Sequence, residues 1–218
     1  PEAIYRSLPV SASGEVEPSA SVRAVLELVE RVNSIVIGPG LGHTPANSEF
    51  LSTLLSQIDD EMPLVLDADA LNILSKSHKW WERLENSAIL TPHPGEMGRL
   101  MGIAAAEVQQ DRGSVALEAA GKFGKVVVLK GAATLIAAPD GRLMVSPWVN
   151  SGLAKGGSGD VLAGLIGGLL AQQPENVFEM ASLAVFVHGY AAEAARDELG
   201  ETGMRATDIS DRLGYFSR

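Results

Sequence analysis

The sequence contains no cysteine. That absence removes disulfides, thiolate zinc sites and a cysteine nucleophile, and it suits a reducing compartment. Positive charge is scarce, with 17 Lys and Arg against 27 Asp and Glu and a formal net charge of −10. Such a chain does not work by laying a broad basic face on nucleic acid or anionic membrane, although local basic pockets remain open to it. No charge-free apolar run reaches the roughly 20 residues that span a bilayer, and the opening PEAIYRSLPV lacks the basic start and apolar stretch of a signal peptide. The phosphate loop G-x-x-x-x-G-K-[ST] is missing too, so any phosphate is bound by another loop. What is present is a 218-residue chain, 46% hydrophobic, which can bury a substantial core. The expectation is a soluble, cytoplasmic, homo-oligomeric protein that binds neither nucleic acid nor membrane. Because the chain starts at Pro1 without Met, it is read as a fragment or a processed product.

Apolar runs of strand length alternate with stretches of helical period, which predicts βαβ units around a mostly parallel sheet. Helices are expected at 21–32, 48–58, about 105–123, 158–172, 176–199 and 208–216, and strands at 34–38, 63–67, 88–91 and 125–130. TLIAAPDGRLMVSP (134–147) alternates around Asp140-Gly141, a strong hairpin signal. There is no internal repeat or low-complexity tract. The one flexible-looking segment, SASGEVEPSAS (11–21), is too short to separate a pair of cores, so residues 1–218 read as one domain.

In open parallel sheets the ligand crevice forms at the strand C-termini, so the loops that follow strands carry the most information. GPGLGHT (38–44) resembles a dinucleotide fingerprint, but its third glycine falls one residue early for G-x-G-x-x-G, and glycines that merely permit a tight turn explain it equally well. In DADALN (67–72), N-capping, metal ligation by one carboxylate and plain solvation all suit Asp67 and Asp69, with capping the favoured reading. In TPHPGE (91–96), His93 sits between two prolines, with Pro94 and Glu96 at the N1 and N3 positions of a following helix; it serves either as the N-cap or as a ligand contact. The last of these loops is KGAAT (130–134). His188, inside the apolar run AVFVHGYAAEAA, reads as a core or helix-contact histidine.

KGGSGD (155–160) opens a helix. Gly156, Gly157 and Gly159 leave backbone N–H groups unobstructed where unpaired donors and the helix dipole favour an anion. Asp160 in the first turn either complements the dipole or acts chemically. Three glycines in four residues cost backbone entropy that a plain cap does not require, and an oxyanion pocket beside a carboxylate is what phosphoryl transfer to a hydroxyl needs. Gly164, Gly167, Gly168 and Ala171 then form a small face expected to let this helix approach its neighbour closely.

The hallmark G-x-G-D, here Gly157-Ser158-Gly159-Asp160, resembles that of the ribokinase-like kinases. IGPGLG (37–42), LDADALN (66–72), LTPHPGEM (90–97) and VVLKGAAT (127–134), in this order ahead of LAKGGSGDVLAG (153–164), resemble one branch of them, the ADP- or ATP-dependent NAD(P)H-hydrate dehydratases. The resemblance covers nearly the whole chain. It implies a ribokinase-like three-layer α/β/α fold and a repair reaction, in which the hydroxyl of hydrated NADH or NADPH is phosphorylated and phosphate leaves as the double bond reforms. It further implies that Asp160 is the base and that Gly157, Ser158 and Gly159 form the anion hole. Lys130, Gly131, Ala132, Ala133, Thr134 and Gly159 would contact ADP or ATP, while Gly42, His93 and Asp160 would face the hydrated dinucleotide. Mg2+ would accompany the nucleotide without an all-protein cage, and no residue is singled out as a metal ligand. Two departures accompany the resemblance: family members start well before the point matching Pro1, and Val149-Asn150 stands where Gly-Asn often precedes the anion-hole loop. The alternatives are a ribokinase-like kinase of a small alcohol such as a vitamin precursor, against which TPHPGE argues, and a non-catalytic nucleotide-binding or assembly protein.

Overall fold

A computed structural model describes residues 3–214. Helix α1 (Pro18–Val29) precedes β1 (Ile35–Ile37), α2 (Pro45–Leu55), β2 (Leu64–Leu66), α3 (Ala68–Leu74), β3 (Ala88–Leu90), α4 (Pro94–Met101), α5 (Ala105–Gln110), α6 (Arg112–Phe123) and β4 (Val126–Leu129). The hairpin β5 (Leu135–Ala137) and β6 (Leu143–Val145) follows, and then α7 (Ser158–Leu170), α8 (Val177–Leu199) and α9 (Ala206–Ser210). The six strands lie side by side in chain order. The first four run parallel, and β5 and β6 are antiparallel to their neighbours.

This order explains the layers. A strand series that never reverses direction across the sheet, with every crossover of the same hand, sends all its connecting helices to one face. Accordingly Leu51 of α2, Leu71 of α3, Met97 of α4 and Ala116 of α6 pack with Leu64, Leu66, Leu90, Val127 and Leu129. The alternate strand residues Val65, Ile89, Val128 and Ile136 point the other way, where Leu162, Ile166 and Leu170 of α7 and Ala181 and Ala184 of α8 cover them. Burial of both faces is why β2, β3 and β4 read as continuous apolar runs. The three-layer α/β/α arrangement is the expected one.

Several boundaries differ from expectation for identifiable reasons. Helices α1 and α2 each start three residues earlier, because Pro18 and Pro45 occupy the first helical turn, where a missing N–H costs nothing. The stretch 105–123 is two helices: Asp111 leaves the helical region at φ −145°, ψ 74°, and its carboxylate accepts the Ser114 N–H at 3.0 Å to start α6. The small face of α7 is divided. A Cβ at Gly167 would run into the Val36 side chain of β1, whereas Gly164 and Gly168 look onto open space. Of the helix expected at 208–216, the structure forms α9 at Ala206–Ser210, and Tyr215 and Phe216 lie outside the described residues. Among the described residues no helix is long and apolar enough to cross a membrane.

Candidate active site

All four parallel strands end at one edge of the sheet, and the loops singled out in the sequence gather there. The Asp67 N–H bonds to Ile37 O at 3.1 Å, Thr91 N–H to Leu66 O at 3.1 Å, and Lys130 N–H to Pro92 O at 2.9 Å, so pairing continues into the loops. Gly38 has φ +129°, and a Cβ there would collide with the Asp67 carbonyl, so only glycine lets the β1 loop cross the end of β2. Beyond it the Gly42 N–H donates to Asp69 Oδ2 at 2.8 Å, and His43 Nδ1 lies 3.5 Å from Asp69 Oδ1. Asp69 therefore shapes GPGLG as a turn tied to the next strand end.

Asp67 occupies the N-cap position of α3 but makes no capping hydrogen bond. Its carboxylate, 1% exposed, instead accepts from Lys130 Nζ at 2.7 Å. The capping reading fails because a full positive charge two strands away offers a stronger partner than a helix N–H. Glu96 is 5% exposed; its Oε2 accepts the His93 N–H at 2.8 Å and lies 3.9 Å from Lys130 Nζ. His93 is the N-cap of α4, its Nδ1 accepting from Gly95 N at 3.0 Å and Glu96 N at 3.3 Å. A ring nitrogen that accepts two N–H groups carries no proton, so the proton resides on Nε2, 3.4 Å from Glu96 Oε1. The half-exposed ring thus caps the helix and still offers a donor beside the crevice.

Gly157, at φ +89°, is the N-cap of α7 and turns the chain in the left-handed region. Ser158 is buried, with its Oγ 2.6 Å from Leu153 O and 2.9 Å from Lys155 O, so its hydroxyl is taken up within the loop. His188 of α8 is also buried, and its Nε2 lies 3.0 Å from Ser158 O. A carbonyl only accepts, so Nε2 holds the proton. Burial pushes the pKa of the ring down to about 4 against the opposing pull of that carbonyl, and the ring stays neutral. The segment ahead of the loop is braced as well: Asn150 Nδ2 donates to Ala192 O at 3.1 Å, and Lys155 Nζ donates to Thr202 O and Met204 O at 2.7 Å each.

These pieces meet. A Cβ at Gly159 would stand 3.5 Å from Lys130 Nζ and 3.9 Å from Asp67 Oδ2, so the ends of β2 and β4 converge on the start of α7. A cleft of about 350 Å³ opens from that point, lined by Lys130, Gly131, Ala132, Thr134, Trp148, Ser158, Gly159 and His188. Ala133 is held at φ +49°, with its N–H on Trp148 O at 3.2 Å; strain of this kind is kept where the surroundings over-determine it. Arg112 supports the loop from below, donating from Nη2 to Leu129 O at 3.0 Å and from Nη1 to Ala132 O. Asp160 is exposed and borders a second groove along α7 with Gly164, Leu165 and Gly168. Gly159 and Asp160 therefore stand between two openings. Gly42 and His93 lie on the β1 and β3 side of the same edge; Gly42 is tied to Asp69, and His93 reaches the cleft through Glu96, which lies near Lys130. Glu96, Arg112 and Trp148 escaped the sequence reading as site residues, and Asp67 was read there as a cap ahead of a metal ligand, not as the partner of Lys130. The legible signal for that pair was position, since Asp67 and Lys130 each directly follow an apolar strand.

The profile of the NAD(P)H-hydrate dehydratase family matches residues 3–214. The bifunctional NAD(P)H-hydrate repair enzyme Nnr of Moorella thermoacetica is 40% identical over 217 residues, covering 100% of this chain and 40% of that protein. The ADP/ATP-dependent NAD(P)H-hydrate dehydratase of Bacillus subtilis, co-crystallised with ATP/Mg2+, superposes with a TM-score of 0.74 at 38% identity, over 84% of this chain and 63% of that one. A ribokinase-like superfamily protein of Enterococcus faecalis gives a TM-score of 0.74 at 30% identity, over 90% of this chain and 66% of that one. The chain thus spans two fifths of the Moorella protein and under two thirds of the Bacillus one. With the family profile matched along all but the first two and last four residues, the chain belongs to the NAD(P)H-hydrate dehydratase family.

Proposed function

We propose that this chain, acting as one domain, restores NADH or NADPH from its hydrate at the expense of ADP or ATP. The observation that carries the reading is the convergence of Lys130, Gly159 and the start of α7 on one edge of the cleft. The KGAAT loop and Trp148 line that cleft as a seat for the nucleotide. The backbone N–H groups of the Gly157–Gly159 turn and the Lys130 ammonium supply positive potential for the transferred phosphoryl group. Asp160, standing between the two openings, takes the proton as the ring hydroxyl oxygen attacks the terminal phosphorus, and the nucleotide leaves one phosphate shorter. The carbon–oxygen bond of the phosphate ester then breaks with its electron pair going to phosphate, and loss of a neighbouring ring proton restores the double bond. Gly42 and His93 border the hydrate, with the His93 Nε2–H as donor.

Among the described residues no group of three or more His, Asp or Glu could hold a metal ion. The two buried carboxylates at this edge, Asp67 and Glu96, are engaged by Lys130 and the His93 N–H. That donor set fits a Mg2+ ion held by nucleotide phosphates and water, where it would neutralise developing phosphate charge. The absence of cysteine supports a cytoplasmic setting.

The test is incubation of the protein with hydrated NADH, Mg2+ and ADP or ATP while dihydronicotinamide absorbance is followed, with Asp160→Asn in parallel. Recovery should require nucleotide, and the variant should turn over roughly 10² to 10⁴ times more slowly while still binding it. No recovery by the parent overturns the reaction, and near-parental turnover by Asp160→Asn removes it as the base.

A further inference from the structure

The Asp67 carboxylate is 1% exposed, and a buried charge of that kind persists only when paired. Its partner is Lys130, whose Nζ has a choice of carboxylates: Asp67 Oδ1 at 2.7 Å and Glu96 Oε2 at 3.9 Å. A lysine is a point charge on a flexible four-carbon stem, so its direction is set by whatever holds its ammonium. Asp67 is well suited to do so because its backbone is fixed on every side. Its N–H is bonded to Ile37 O, its carbonyl accepts from Ala70 N at 3.1 Å, and Gly38 is packed on that carbonyl. The next residue, Ala68, is held at φ +47°, a costly conformation for a residue with a side chain. The strained turn starts α3 without drawing the Asp67 side chain into a cap. Held there, the ammonium lies 3.5 Å from the Cβ position of Gly159, and Lys130 lines the cleft.

We propose that Asp67 is a positioning residue for phosphoryl transfer. It holds the Lys130 ammonium at the Gly159 edge, where that charge meets the nucleotide phosphates, against the pull of Glu96. This rests on the nucleotide reading given above. Asp67 acts through Lys130 and touches neither nucleotide nor hydrate. Its removal frees the ammonium to move toward Glu96, away from the start of α7.

The experiment is a double-variant cycle on Asp67→Asn and Lys130→Met, read by calorimetric titration with MgATP and with MgADP and by kcat and KM for hydrate turnover. Asp67→Asn should weaken nucleotide binding or lower kcat about 10- to 100-fold, the scale of a lost charge-assisted contact. The double variant should be no worse than Lys130→Met alone, because a residue that acts only through Lys130 has nothing left to lose. Adding Glu96→Gln to Asp67→Asn should recover some of the loss by removing the competing carboxylate, which a purely structural role for Asp67 would not do. The double variant leaves no unpaired charge in the ion pair, so it stays measurable even where a single variant unfolds. Asp67→Glu provides a further measure: the charge is kept, while the longer side chain shifts the ammonium and lowers nucleotide affinity. Losses that multiply in the double variant, or parental affinity in both Asp67 variants, overturn the proposal. The titrations contain no hydrate, so a parent that binds nucleotide but restores no NADH refutes the reaction and leaves this inference decided by the cycle. A parent that binds neither MgATP nor MgADP refutes both.

Discussion

His188 shows how one buried side chain ties the site to the core. It reaches from α8 to the Ser158 carbonyl in the first turn of α7, and burial holds its pKa near 4 against an ordinary value of 6.5. Between pH 6.5 and 4 the unfolded chain takes up a proton at this position that the folded chain refuses. Stability contributed here is therefore complete above the unfolded value and is lost as pH falls through that window, by a total on the order of 3 kcal/mol. Denaturant unfolding of the parent and His188→Gln from pH 7 to 4 checks this. The parent should lose more stability over the window than the variant, whose amide can still donate to Ser158 O, and parallel curves would show that the ring titrates normally. At the same scale, residue type and local spacing revealed His93 and Glu96 as a helix start, but not that Glu96 is buried beside Lys130. Asp67 was legible as a helix-start carboxylate and not as half of an ion pair. The partner lies 63 residues along the chain, and short-range spacing carries no information about which strand ends become neighbours.

Among the elements, α7 bears most directly on function. Its start was legible because three glycines and an acidic first turn are costly for a plain cap and useful for an anion. Its packing was less so: periodicity grouped Gly164, Gly167 and Gly168 on one small face, yet only Gly167 meets β1, since a stripe does not say which of its residues face the sheet. Likewise, apolar periodicity placed α1 and α2 three residues late because it is blind to the proline-led first turn, and it ran α5 and α6 together across Asp111. The start of α7 supports a sharp prediction. Gly157 has φ +89°, and a Cβ there would sit 3.1 Å from the Ala206 Cβ of α9. Gly157→Val places a β-branched residue in that conformation and crowds the proposed phosphate position. Stability should drop by about 1–3 kcal/mol and affinity for MgATP by at least about tenfold, with loss of the backbone donors. Unchanged affinity in a calorimetric titration would move the anion site elsewhere.

At the scale of the whole molecule, the α/β alternation and the hairpin at Asp140-Gly141 made the mostly parallel sheet legible in advance. The chain-order arrangement of the strands did not follow from sequence, because periodicity marks each strand without naming its neighbour. That arrangement puts the four loop-bearing strand ends on one edge and leaves the far face for α7 and α8 to cover, so that the start of α7 meets Lys130. The central claim is that this edge phosphorylates a ring hydroxyl and then expels that same oxygen as phosphate. Its most direct test is turnover of hydrated NADH carrying a heavy oxygen isotope in the ring hydroxyl, with ATP and Mg2+, followed by mass analysis of the products. The account predicts the label in inorganic phosphate, one labelled phosphate for each NADH restored. Label released into water, or retained in a stable phosphorylated product with no NADH formed, would contradict it.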